Sequence, residues 1–370
     1  MGAKKDRKRA KAEERARAKA IARSKRISED ARSSSKKPGG WIQDPREVLS
    51  IGPDFTLTGF TRDATPGWSG SEKKSLKVLA ARGAEFSELQ ERLYAASKEG
   101  ASDSVLLILQ GLDTAGKGGI VRHVIGQVDP QGIALAAFKA PSEEERAHDF
   151  LWRIRPRLPR AGYIGVFDRS HYEDLLVPTA LALTGEESAF IASEDELNRR
   201  YHDIYEMEAE ATRTGMRIVK VCLVVSYREQ GKRLAERLER ADKQWKFSMG
   251  DLDTRTHWDS YQEAYSEVLR RTSTRVAPWY VVPADHKWYA RLAVQELLVR
   301  TLEDVDPQWP AADFDVDEAK RRLATTTSPE ALRLHSDEHL AAARVAAKGE
   351  RGTDDHIAVE AMSPLTDFVP

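Results

Sequence analysis

SVLLILQGLDTAGKGGIVRHVI, residues 104 to 125, decides how the rest of the chain is read. Val105 to Leu109 is an unbroken apolar run of strand length, the pattern of a strand buried on both faces of a parallel sheet. The run breaks at Gly111, and Gly111-Leu112-Asp113-Thr114-Ala115-Gly116-Lys117 fits G-x-x-x-x-G-K before a helix opens. In such a loop the bare backbone N–H groups of Gly111, Gly116, Gly118 and Gly119, with the helix N-terminus, hold phosphate oxygens, and Lys117 reaches toward the transferred group. The serine or threonine that usually follows the lysine is replaced by Gly118, which offers no hydroxyl to Mg²⁺. A carboxylate inside the loop, Asp113, is therefore expected to help hold any metal.

Outward from the loop, apolar runs alternate with helical patterns. Strands are expected at Gly132 to Phe138, Tyr163 to Asp168, Arg217 to Val225 and Trp279 to Val282. Upstream, Ser71 to Ser97 carries Leu76, Leu79, Ala80, Leu89, Leu93 and Ala96 near helical spacing, as one or two long helices. Ser142 with Glu145 is a capping-box signature for a helix that would carry Phe150, Leu151, Trp152 and Ile154. Further helices are expected after Ser170, near Glu194 to Thr214, at Arg228 to Arg240, as one long element near Asp251 to Arg271, and from His286 to Glu303. This alternation predicts an α/β fold with a central parallel sheet covered on both faces, and ligands at the carboxyl ends of the strands.

The chain has 370 residues and a formal charge of −1, unevenly divided. Residues 1 to 37 hold 15 Lys and Arg against 5 Asp and Glu, leaving 43 against 54 for the rest. The body is too acidic to coat nucleic acid. Residues 1–38 have almost no large apolar residue and read as a basic tail, disordered or a fraying helix, either a solubilising segment or an electrostatic contact with nucleic acid, membrane or a polyanion. Residues 39–305 form the expected catalytic domain, with an arm from Trp41 to Ser71 packing on it, and 306–370 an Ala/Glu-rich extension, partly helical or disordered. The single G-x-x-x-x-G-K and the lack of an internal repeat disfavour a tandem arrangement. The one cysteine, Cys222, sits in an apolar run as a buried structural thiol, and no apolar segment has signal-peptide or membrane-spanning character; a soluble, cytoplasmic protein is expected.

Asp168 ends a strand about fifty residues after the loop, where a carboxylate commonly holds Mg²⁺ directly or through water; it could equally cap the following helix. Arg169 can pair with a phosphate, or form a salt bridge to Glu173 or Asp174. Arg233, Arg237 and Arg240 fall at i, i+4 and i+7, and Lys243 and Lys246 extend this basic face toward Gln244-Trp245-Lys246-Phe247. It reads as a mobile lid over phosphates or, given Glu236 and Glu239, as a solvated helix face. Tyr261, Tyr265, Trp258, Trp279 and Trp288 read as core or subunit-interface residues.

Taken together, GLDTAGKGGIVRHV from Gly111, FKAPSEEERAHDFLWRIRPRLPRAG from Phe138, FDRSHYEDLLV from Phe167, KQWKF from Lys243 and APWYVVPADHKWYARLAV from Ala277 resemble the polyphosphate kinase 2 family over roughly residues 45 to 305. The resemblance implies a P-loop kinase-like three-layer α/β/α fold with a helical lid, in which inorganic polyphosphate and a nucleoside mono- or diphosphate exchange a phosphoryl group with Mg²⁺, or Mn²⁺ in its place, in dimers or tetramers. It places the family's loop Asp and Lys on Asp113 and Lys117, its strand-end Arg on Arg169 and its lid arginine on Arg233, with Arg237 beside it. Metal is then expected on Asp113 and Asp168, nucleotide near Arg169, Tyr172, Glu173 and Asp174, and the phosphate chain along Lys139, Arg233, Arg237, Lys243 and Lys246. The chain departs from many relatives in carrying Asp168 where they have Asn. An ATP-dependent P-loop kinase for nucleotides or small molecules could use the same cations, and a non-catalytic nucleotide-binding protein is the alternative from another class.

Overall fold

In a computed structural model of the chain, residues 40–184 and 193–350 are described. Five strands, β1 (Ser104–Gln110), β2 (Ile133–Ala137), β3 (Ile164–Asp168), β4 (Met216–Val224) and β5 (Trp279–Pro283), pair in the order β2-β3-β1-β4-β5, all parallel. All seven residues of β1 are buried, which is why its sequence shows no alternation. Leu109 pairs with Asp168 of β3, so the loop after β1 and the turn after β3 emerge side by side.

The helices in chain order are α1 (Pro45–Leu49), α2 (Glu72–Lys98), α3 (Lys117–His123), α4 (Glu143–Arg146), α5 (Glu173–Thr184), α6 (Glu194–Arg213), α7 (Tyr227–Glu239), α8 (Gly250–Thr256), α9 (Trp258–Thr272) and α10 (Lys287–Val305). One face of the sheet packs on a core that includes Phe86, Leu93, Ile120 and the apolar side of α10; the other, which carries Trp279, packs on Leu175, Ile204 and Tyr265. The α2–α10 contact carries a buried ion pair, Arg82 to Glu296 at 2.9 Å. The arm does dock: Trp41 meets Trp68 edge to face at 5.5 Å, and Ile51 N donates to Trp279 O of the edge strand β5 at 3.3 Å.

Two helix expectations are corrected. The Ser142–Glu145 capping box forms, but its helix lasts only to Arg146. The Asp149 carboxylate accepts from Leu151 N and competes with the helix, and Pro156 and Pro159 leave only a short 3₁₀ turn at Arg155–Arg157. The long element near Asp251 is broken at His257 (φ −96, ψ 30) into α8 and α9. Ser71, by contrast, caps a single unbroken α2 through Lys74 N.

The chain divides into two compact units, up to Pro310 and from Ala311 onward. The second holds α11 (Val316–Thr326), α12 (Pro329–Leu334) and α13 (Asp337–Glu350). The expected basic tail and the last residues of the extension lie outside the described residues. Among the described residues no helix is long and apolar enough to cross a membrane. Cys222 is buried, its thiol pushed up to about 12 by burial.

Candidate active site

Gly111 leaves β1 at φ 139, where a Cβ would lie 2.4 Å from Leu223 O, so only glycine permits this turn. Gly116 (φ 120) then feeds α3. Lys117 is buried and folds back, its Nζ 2.6 Å from Gly111 O and 3.4 Å from Leu112 O. At Gly118 an added Cβ would meet nothing within 4 Å, so packing does not exclude the missing hydroxyl side chain.

Across the mouth, Arg169 stands in the left-handed region (φ 64) and donates from Nη2 to Asp113 Oδ1 at 2.7 Å. The sequence left Glu173 or Asp174 as its salt-bridge partner; the loop carboxylate is the partner found. Burial works to raise the Asp113 carboxyl, but Lys117 and Arg169, with Arg237 behind them, outweigh it and hold the group below the usual carboxylate range. Beneath them, Gln110 at the end of β1 reaches Ser170 and Glu173: with its amide assigned in the orientation that satisfies both partners, its oxygen accepts from Ser170 N at 3.2 Å and its nitrogen donates to Glu173 Oε1 at 2.9 Å.

Asp168 makes no side-chain hydrogen bond or ion pair among the described residues. In the turn ahead of α5 it is Ser170 Oγ that accepts from a backbone amide, Tyr172 N at 3.2 Å. Two carboxylates, Asp113 and Asp168, thus keep lone pairs available at the ends of neighbouring strands. Mg²⁺ suits that donor set, since it takes hard oxygens, often one or two carboxylates completed by water and phosphate. Among the described residues no group of three or more acidic, His or Cys side chains offers a full cage.

The basic face of α7 does not act as one surface. Arg233 is 5% exposed and directed behind the loop, so its expected place over an open phosphate channel is corrected. Arg237 is part-buried and donates to Asp251 Oδ2 of α8 at 3.3 Å. Burial, and next the nearby Asp113 charge, push the Asp251 carboxyl up. Arg240 lies on the surface in an ion pair with Asp242 at 2.7 Å. The three share a side of α7, but a rise of about 1.5 Å per residue carries Arg240 about 10 Å beyond Arg233, out of the core. Lys243 pairs with Glu236, Lys246 lies 4.9 Å from the centre of the Trp245 ring, and Trp245 itself is 77% exposed.

Tyr172 is corrected as a nucleotide contact. It is fully buried, donating to Glu208 Oε1 at 2.6 Å and accepting from Lys220 Nζ at 3.0 Å. Asp174 is held by Arg153 at 3.1 Å, and Arg153 also donates to Lys139 O, leaving the Lys139 side chain exposed beyond β2. Sequence reasoning missed Gln230, Asp251, Arg153 and the Lys220–Glu208 pair. Only Gln230, three residues before Arg233 on one helix face, left a readable trace.

Beside this site, His171 is fully buried, and neither ring nitrogen has a partner among the described residues. Burial, then Lys220 and Arg153, lower its pKa from 6.5 to about 3. As pH falls below about 6.5 the unfolded chain takes up this proton first, so folded stability declines until the pH nears 3, by up to about 1.4 kcal/mol per unit. Denaturant titrations at pH 7.5 and 5.0 should show His171→Leu losing about 2 kcal/mol less than the parent protein over that interval; equal losses would exclude His171 as the titrating group.

A lysine, a pair of carboxylates and guanidinium groups converge on one glycine-rich turn, and the chemistry open to them is phosphoryl transfer by positioning and charge neutralisation, as in P-loop kinases. Comparison with known proteins narrows this. The polyphosphate kinase 2 pattern matches residues 70–310, and the chain belongs to that family. An AMP/ADP-polyphosphate phosphotransferase of Meiothermus ruber is 41% identical over 262 residues, 70% of this chain and 94% of that protein. An ADP-polyphosphate phosphotransferase of Rhodopseudomonas palustris is 41% identical over 229 residues, 61% of this chain and 78% of the other. The crystal structure of polyphosphate kinase 2 from Arthrobacter aurescens TC1 aligns with a TM-score of 0.72 at 49% identity, covering 78% of this chain and 98% of that one.

Proposed function

We propose that this protein is a polyphosphate:nucleotide phosphotransferase, moving a phosphoryl group between inorganic polyphosphate and a nucleoside mono- or diphosphate. Family membership supplies the substrate class. The observation that carries the site is the 2.7 Å contact between Asp113 of the phosphate loop and Arg169 beyond β3, which joins two strand ends into one charged mouth.

In this reading the amides after Gly111 bind phosphate, and the Lys117 ammonium, held by two loop carbonyls, exchanges them for phosphate oxygens. Arg169 and Arg237 offset charge as it spreads over the equatorial oxygens of the group in flight, and Asp113 holds Arg169 in place. Asp113 and Asp168 would hold Mg²⁺, which when bound would supply positive charge to offset that of the phosphates; Mn²⁺, with the same oxygen preference, could replace it. Lys139, Lys243 and Lys246 serve as outer contacts for a long anion. A dimer or tetramer and a cytoplasmic location, where nucleotides and polyphosphate meet, complete the proposal.

The test is direct. Purified full-length protein with Mg²⁺ and long-chain polyphosphate is given AMP, ADP, GDP and UDP separately, with ATP as rival donor, and products are resolved by chromatography. Nucleotide phosphorylated at the expense of polyphosphate supports the proposal. Transfer from ATP alone would make the protein an ordinary kinase.

A further inference from the structure

If the amides of a phosphate loop converge on the ligand, its carbonyls point the other way, and each one buried needs a donor. Here the carbonyls of five consecutive residues have one. Lys117 Nζ serves Gly111 and Leu112. Gln230 Nε2 approaches Asp113 O at 3.4 Å, and Arg233 Nη1 donates to Thr114 O at 3.0 Å and Ala115 O at 3.3 Å. Thr114 is a β-branched residue at φ 66, an unfavourable conformation that its surroundings must impose.

Arg233 spends its remaining donors on a rigid support. Nη2 donates to Ala284 O at 2.7 Å and Asp285 O at 2.9 Å, just past β5, and Nε to Glu229 Oε1 at 2.9 Å. All five N–H groups are committed, and none faces the ligand side. Gln230, also fully buried, has its amide orientation fixed by Arg255 Nη1, 2.9 Å from its Oε1.

We infer that Arg233 and Gln230 are positioning residues: a carbonyl clamp from α7 that fixes the backbone of Asp113, Thr114 and Ala115, and with it the shape of the phosphate loop, before substrate arrives. The inference rests on the phosphotransferase reading for its kinetic consequence only; the clamp itself concerns loop geometry. Lysine cannot replace Arg233, because one ammonium cannot span the loop carbonyls and the β5 end at once.

The experiment compares Arg233→Lys and Gln230→Met with the parent protein. It measures kcat and KM for polyphosphate at two ionic strengths, and hydrogen exchange of amides 111–119 in substrate-free protein. The clamp predicts a kcat loss between about 10- and 100-fold, an almost unchanged KM with a parental salt dependence, and faster exchange confined to the loop. A raised KM for polyphosphate with parental exchange in the loop would mean a direct phosphate contact and overturn the inference. Parental kinetics with parental exchange would overturn it too. Gln230→Met removes one donor and no charge, so it decides the matter if Arg233→Lys does not fold. If the parent protein lacks polyphosphate activity, the functional proposal falls, while the exchange comparison still judges the clamp.

Discussion

Replacing Asp113 with asparagine is expected to lower kcat by roughly two orders of magnitude or more while leaving the fold intact. Asparagine keeps the shape and one acceptor for Arg169, so packing barely changes. What disappears is a negative charge at the point where Lys117, Arg169 and Arg237 exert their fields. Three cations without their counter-ion should bind the anionic ground state at least as well as before. The loss therefore falls on kcat rather than KM, the signature of an interaction that matters in transfer. The Mg²⁺ concentration required for half-maximal rate should rise as well, because one of two available carboxylates is gone. Steady-state kinetics across Mg²⁺ concentrations checks both, and an unchanged kcat would remove Asp113 from the reaction.

The largest effect on stability should come from a place that takes no part in the chemistry. Lys220 of β4 is fully buried, its Nζ 2.7 Å from Glu208 Oε2, 2.8 Å from Thr272 O and 3.0 Å from Tyr172 Oη. The same ammonium lies 5.4 Å from the ring centres of Tyr172 and Trp279. Lys220→Met strands a buried carboxylate and should cost about 3–5 kcal/mol. For a unit of this size, that is a fall in Tm of roughly 6–20 °C. Lys220→Met with Glu208→Leu and Tyr172→Phe converts the cluster to apolar contacts and should recover most of the loss. Thermal unfolding of the two variants decides it: equal melting temperatures for the single and triple variants would show that the charge pair is not the reason.

Several elements were legible in the sequence because their causes are local. β1 shows as an apolar run because both its faces are covered, and the turn after it shows because only glycine tolerates φ 139 at position 111. Ser142 caps its helix through Glu145 N, three residues on, a reach the chain carries within itself. The placement of Asp113, Lys117 and Asp168 at strand ends followed from the same alternation of strand and helix.

What the residues then touch was decided by tertiary structure. The spacing of Arg233, Arg237 and Arg240 fixes which side of α7 they share, and nothing in it says that the helix runs from behind the loop out to the surface. Tyr172 sits in a segment rich in charged residues, yet α6 and β4 bring Glu208 and Lys220 around its hydroxyl and take it out of reach of any ligand. Asp251, 138 positions beyond Asp113, meets it only because α8 folds over the mouth. Local sequence sets backbone conformation over a few residues; the partner of a charged side chain is chosen by which distant strand or helix arrives beside it, and by how much water that arrival excludes.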